Sequence, residues 1–145
     1  MAMDSLTSVL TNAASGLSAQ SIRMNTIASN LANTGNVGPS EEATYHAKYP
    51  VFSEVTQPVP GLGDQDQPVG GVRVTGIKTS DKPLDRRYDP NNPMANQDGF
   101  VYLANVNPIE QMTDMIAASK EYEANVDVMN TAKNLIAQSI SVIKG

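Results

Sequence analysis

The sequence predicts a mainly α fold with a small β insertion: long N- and C-terminal helices pair as an antiparallel-type coiled-coil stem around a short β-rich middle. Three observations carry this. All nine prolines lie between Pro39 and Pro108, and eight of ten glycines between Gly35 and Gly99. The ends are therefore almost free of helix breakers. Each end also shows apolar residues at alternating spacings of three and four, and the middle has short alternating runs broken by turn residues.

In the first segment, residues 1–33, the series runs Leu6, Leu10, Ala13, Leu17, Gln20, Met24, Ile27, Leu31, apolar at seven of eight positions. Asp4 or Ser5 suits the N-cap. A helix over 5–33 is about 43 Å long, and Gly35 offers a residue able to take positive φ after the last turn.

The middle segment, residues 34–106, reads as strands and turns. "TYHAKYPVFSEV", "GGVRVTGIKT" and "GFVYLANV" are the strand candidates, and "PVPGLGDQDQPVGG" reads as a loop.

The last segment, residues 107–145, opens with "NVNPIEQM". Here Asn107 is the N-cap, Pro108 takes the first helical position, and Glu110 can complete a capping box. The series Met112, Met115, Ser119, Tyr122, Val126, Met129, Lys133, Ile136, Ile140, Ile143 reads as a seam interrupted by two polar positions. The helix extends to about Lys144.

The first helix has an unusual polar face. From Ser5 to Asn33 only Arg23 is charged, while fourteen residues are Ser, Thr, Asn or Gln and six are Ala or Gly. A helix on the surface of a monomer normally carries charges opposite its apolar stripe. Either this is one helix pair with a Ser/Thr-rich outer face, or both faces are buried because many copies pack together. Such a helix is marginal alone, so helicity is expected to rise on assembly. The amides of "ASNLANTGN", Asn30 and Asn33, and Asn125 near the other end are assigned to polar contacts between helices of the same or adjacent subunits, where a neutral amide both donates and accepts.

Composition excludes several classes. The net charge of -5, with no basic cluster beyond Arg86-Arg87, opposes nucleic-acid binding. There is no Cys, and His46 is the only histidine, so thiolate metal sites and Cys-His pairs are ruled out. His46 is read as an ordinary surface or half-buried residue. No cofactor or metal is expected: Asp64 and Asp66 lack the further ligands of a calcium loop, and "MANQDG" begins with Met94 where such a loop needs Asp. The N-terminus lacks a basic, apolar signal peptide, and no apolar run reaches 18 residues. A soluble chain without a conventional export signal is expected.

"NTIASNLANTGN" and "MTDMIAASKEYEANVDVMNTAKNLI" resemble the N- and C-terminal motifs of the flagellar axial proteins, the rod, hook and hook-associated subunits. "YDPNNPMANQDGFVYLANVNPIEQM" is similar to the segment before the second helix in the short rod proteins of the basal body. The resemblance implies a structural, non-enzymatic subunit of the proximal rod. It also implies export through the flagellar type III apparatus without signal cleavage, and a rod crossing the periplasm to join the membrane ring to the hook. Implied partners are other rod proteins, copies of itself, ring components and the export apparatus, with no membrane insertion. The assembly residues are then Leu6, Leu10, Leu17, Met24, Ile27, Asn30, Leu31, Asn33, Met112, Met115, Tyr122, Asn125, Val126, Met129, Ile136 and Ile140. Another short rod subunit, or a coiled-coil adaptor that does not polymerise, are the alternatives.

Overall fold

The computed structural model describes residues 2–58 and 66–144, with side chains at 5–56 and 70–142. Asp64, and the side chains of Asp4, Asp66 and Ile143, lie outside the described residues. Helix α1 spans Ala2–Ala32 and helix α2 Pro108–Lys144. Between them lie β1 (Val37–Gly38), β2 (Lys48–Pro58), β3 (Asp66–Thr79), β4 (Arg86–Tyr88) and β5 (Phe100–Leu103). β2 and β3 form a two-stranded sheet, and β1, β5 and β4 a three-stranded one with β5 at its centre.

The chain forms two compact units, and each helix contributes to both. The first comprises residues 1–22, 51–76 and 118–145, the second residues 23–50 and 77–117.

In the first unit the fully buried apolar side chains among the described residues are all alanine: Ala13 and Ala19 on α1, Ala118 and Ala132 on α2. Alanine lets two helix backbones approach closely without losing side-chain entropy. Gly16 carries this further, since a Cβ built on it would stand 2.8 Å from Nδ2 of Asn125. Gln20 donates to Glu121, and the pairings 16 with 125 and 20 with 121 run in opposite directions, so the helices are antiparallel here.

The segment read as a loop is part strand. β3 begins at Asp66, and Gly70 and Gly71 sit inside it with φ of +73° and +104°. That backbone brings the strand against α1: a Cβ on Gly70 would meet Asn12 Nδ2 at 2.6 Å, and one on Gly71 would meet Ser15 Oγ at 3.1 Å. A glycine pair that looks like a turn in sequence is here a site of close backbone approach.

In the second unit Val101 of β5 is fully buried with Ile27, Ala47, Leu84 and Val106. β5 pairs antiparallel with both neighbours, Val37 opposite Leu103 and Arg87 opposite Val101. Gly99, at φ +80°, lies so close to Tyr88 that a Cβ would stand 2.9 Å from its ring. β1 and β4, of two and three residues, carry no alternation that a sequence pattern can register. "TYHA" is not strand. His46 precedes β2, half-buried, with Nε2 3.0 Å from the carbonyl of Glu41.

The end of α1 differs from expectation. Gly35 does not take positive φ. The helix tightens into i→i+3 bonds, Asn33 N to Asn30 O and Thr34 N to Leu31 O. Side chains satisfy further end carbonyls, Asn33 Nδ2 bonding Ser29 O at 2.8 Å. With the terminal acceptors met in this way, no left-handed residue is needed. The start of α2 follows its capping residues: Asn107 Oδ1 accepts from the amides of Ile109 and Glu110 at 3.0 and 3.4 Å.

Candidate assembly interface

The amides at the end of α1 have distinct fates. Asn30 is fully buried, and all four hydrogen-bonding capacities of its side chain are met. Its Nδ2 donates to Gln111 Oε1 on α2 and to the carbonyl of Lys48, both at 2.8 Å. Its Oδ1 accepts from Lys48 N and from Tyr45 Oη, both at 2.9 Å. Asn30 therefore contacts α2 and β2 of its own subunit. Asn33 is half-buried and bonds back into α1. Asn36, next in the series, accepts from Tyr45 N at 3.0 Å. Asn125 lies beside Gly16 in the first unit.

Arg23, the only charged residue from Ser5 to Asn33, reaches Asp114 of α2 at 3.8 Å. Tyr49 of β2 has its phenol pushed above the usual range, first by burial and then by the charges of Glu110 and Asp114. Tyr49 thus lies near the acidic first turns of α2.

Part of α1's uncharged polar face is covered within the chain. Ser15 Oγ donates to Asn12 O at 2.7 Å and accepts from Val72 N of β3 at 3.1 Å. Small hydroxyl and amide side chains suit this face because strand backbone docks on it, where a long charged side chain would hold the strand away. Coverage by the chain's own strand is a third arrangement, beside a bare outer face and burial by other copies.

Along α1 none of Leu6, Leu10, Leu17, Met24, Ile27 and Leu31 is exposed, yet of these six only Ile27 is fully buried. On α2, Met115, Tyr122, Val126, Met129 and Ile136 are half-buried. Met112 and Ile140 point outward, 58% and 42% exposed. Ser119 of the predicted series is half-buried as well, while the fully buried positions of α2, Gln111, Ala118 and Ala132, each lie one residue before Met112, Ser119 and Lys133 of that series. Close helix approach favours small or amide side chains at these innermost places, so a seam read from larger apolar residues runs beside them.

Two sets of outward residues remain. In the first unit α1 exposes Thr7, Thr11, Ala14 and Ser18 at heptad spacing, and α2 exposes Val128, Leu135 and Val142. In the second unit α1 exposes Asn25, Ala28 and Ala32, and α2 exposes Ile109, Met112 and Ile116, at 74%, 58% and 59%. Apolar residues this exposed, recurring every three, four or seven positions, form stripes of the kind that mark contact surfaces. The sequence carries this second periodicity, masked because it interleaves with the first. Among the described residues no cluster of three or more His, Cys, Asp or Glu is placed to hold a metal, and no helix is long and apolar enough to cross a membrane.

Two family descriptions match the sequence: "Flagella basal body rod protein" over residues 10–38, and "Flagellar basal body rod FlgEFG protein C-terminal" over residues 97–142. Curated relatives match nearly end to end. The flagellar basal-body rod protein FlgC of Buchnera aphidicola subsp. Acyrthosiphon pisum is 39% identical over 140 residues, covering 95% of this chain and 98% of its own length. The FlgC of Salmonella typhimurium is 37% identical over 130 residues, covering 90% and 92%. That of Borreliella burgdorferi is 35% identical over 143 residues, covering 92% and 94%.

Proposed function

This chain belongs to the flagellar basal-body rod protein family of FlgC, and from that premise we propose that it is a proximal-rod subunit. Membership makes it a structural, non-enzymatic component of the rod that assembles with other rod components. Our reading goes further. Copies polymerise with other rod proteins into a hollow shaft that transmits torque and surrounds the export channel. The chain reaches that site through the flagellar type III apparatus without signal cleavage, and the shaft crosses the periplasm and engages the basal-body rings.

The observation that carries the polymer reading is the combination on each helix pair of incompletely buried seam residues and outward stripes. A monomeric helix pair gains nothing from exposing Ile109, Met112 and Ile116 in one unit or Val128, Leu135 and Val142 in the other. Neighbouring helices that cover them remove apolar surface worth about 25 cal/mol per Å². The same helices would meet α1 along small, uncharged side chains that permit close packing.

Two kinds of variant separate folding from assembly. Leu17→Asp and Met129→Asp place a charge in the half-buried seam and should abolish incorporation into the basal body. Ala14→Arg and Val128→Asp alter only outward positions, so the isolated chain should keep its helix content by circular dichroism yet fail to enter isolated basal bodies. Normal motility and normal incorporation of both outward variants would remove the support for this reading. The helicity of the isolated chain should also rise on assembly.

A further inference from the structure

We propose that Asn30 and Gln111 are the register key of α1 and α2 in the second unit, and that the key closes only when the Lys48 peptide group is in place. The two amides are 0% and 1% exposed and bond each other at 2.8 Å. The apolar residues near them on the covered faces, Met24, Ile27 and Leu31 on α1 and Met115 on α2, are flexible or similar in size. A slip of one helical turn exchanges one apolar neighbour for another at small cost. The same slip parts Asn30 Nδ2 from Gln111 Oε1 and leaves each buried amide short of a partner, which is the costly outcome. A single buried Asn in a coiled-coil seam specifies alignment by this means.

The Lys48 contacts tie the key to the sheet. Two of Asn30's four bonds go to the N–H and C=O of one residue, so the side-chain amide pairs with Lys48 as a neighbouring strand would. The first residue of β2 is therefore held by α1. Tyr45 Oη fills the remaining lone pair, and its ring lies 5.5 Å from Lys48 Nζ. If Lys48 were absent, Asn30 would keep one donor and one acceptor unmet in a buried place, so helix alignment and β2 docking in this unit form one cooperative event.

The chain has no native cysteine, so engineered pairs report alignment directly. Ile27→Cys with Asp114→Cys reports the observed register, because on these antiparallel helices the positions three residues from Asn30 and from Gln111 fall opposite each other. Ile27→Cys with Glu110→Cys reports a one-turn slip. Both pairs are oxidised in the full-length chain, with trimethylamine N-oxide added to hold both helices formed by circular dichroism. The native pair should cross-link in strong preference to the slipped pair. In the Asn30→Leu/Gln111→Leu background that preference should fall about tenfold, the scale of coupling between contacting residues. Should the double variant fail to fold, Gln111→Met alone keeps Asn30 bound to Lys48 and Tyr45 and should produce a smaller fall. It should also speed hydrogen exchange at the Lys48 amide. An undiminished preference for the native pair in whichever background folds overturns the register role, and an unchanged Lys48 exchange rate overturns its coupling to β2.

Discussion

Gly16 of α1 lies so close to Asn125 of α2 that a Cβ in its place would stand 2.8 Å from Nδ2 and 3.1 Å from Cγ. Two effects then compete at one position. Glycine inside a helix costs about 1 kcal/mol relative to alanine, while a new methyl here must displace an amide. The obstacle is the end of a side chain, which can turn aside. Gly16→Ala alone should therefore change thermal stability little, whereas Gly16→Ala with Asn125→Ala should raise it, by about 1 kcal/mol. Gly16→Leu exceeds any room an amide can vacate and should cost about 1–3 kcal/mol. Thermal melts of the four chains decide it, and a strongly destabilised Gly16→Ala/Asn125→Ala pair would contradict the contact.

Ser15 holds β3 through one bond, from Val72 N to Oγ at 3.1 Å. Ser15→Ala leaves that amide without its acceptor while favouring the helix, since serine is the poorer helix former. Global stability should shift by no more than about 1 kcal/mol, and the effect should be local. Hydrogen exchange at the Val72 amide should quicken several-fold by this opening, with α1 amides near Ser15 unchanged. Equal protection of Val72 in both chains would show that Ser15 does not anchor the strand.

These two contacts mark where sequence reading stops. The helices and the cap of α2 are legible because local rules govern them: prolines are absent, apolar spacing repeats, and Asn107-Pro108 opens α2, whereas α1 begins at Ala2, so Asp4 and Ser5 lie inside the helix instead of capping it. β3 is only half legible. Its second half alternates, but its start carries Gly70-Gly71, whose role is set by Asn12 and Ser15 far away in sequence. Asn30 stands out as an unusual helix residue, yet nothing local reveals that its partners are Gln111, Tyr45 and the backbone of Lys48. The seam of α2 is legible only in part for a related reason. Ala118, Asn125 and Ala132 face inward because the helices are close, and closeness belongs to the pair, not to either periodic pattern.

The Arg23–Asp114 pair accounts for the one charge between Ser5 and Asn33. The two side chains are 23% and 39% exposed and 3.8 Å apart, a geometry in which solvent screens most of the attraction. Such pairs contribute about 0.2–1 kcal/mol. Arg23→Gln and Asp114→Asn should each lower stability by less than about 1 kcal/mol, with a coupling term that shrinks as salt is raised through the range where the screening length falls below 10 Å. A double-mutant cycle at low and high salt measures both quantities. A coupling independent of salt would show that Arg23 acts through packing of its stem instead of its charge.

Tyr49 gives the second unit a pH dependence whose sign follows from its surroundings. Burial, then the carboxylates of Glu110 and Asp114, raise the phenol above its ordinary value of 10.0, because both disfavour the phenolate. In the unfolded chain the phenol ionises near its ordinary value, so the unfolded state releases its proton first as pH rises. The contribution of Tyr49 is thus fully present below pH 10 and is lost as pH climbs from there through the raised folded value. Tyr49→Phe cannot ionise and should remove that part of the alkaline loss. Melting temperatures compared between about pH 8 and about pH 11 should fall less for Tyr49→Phe than for the parent chain. Glu110→Gln with Asp114→Asn should reduce the difference only in part, because burial remains the larger cause. Parallel alkaline losses in the parent and Tyr49→Phe chains would show that the phenol is not held above its ordinary range.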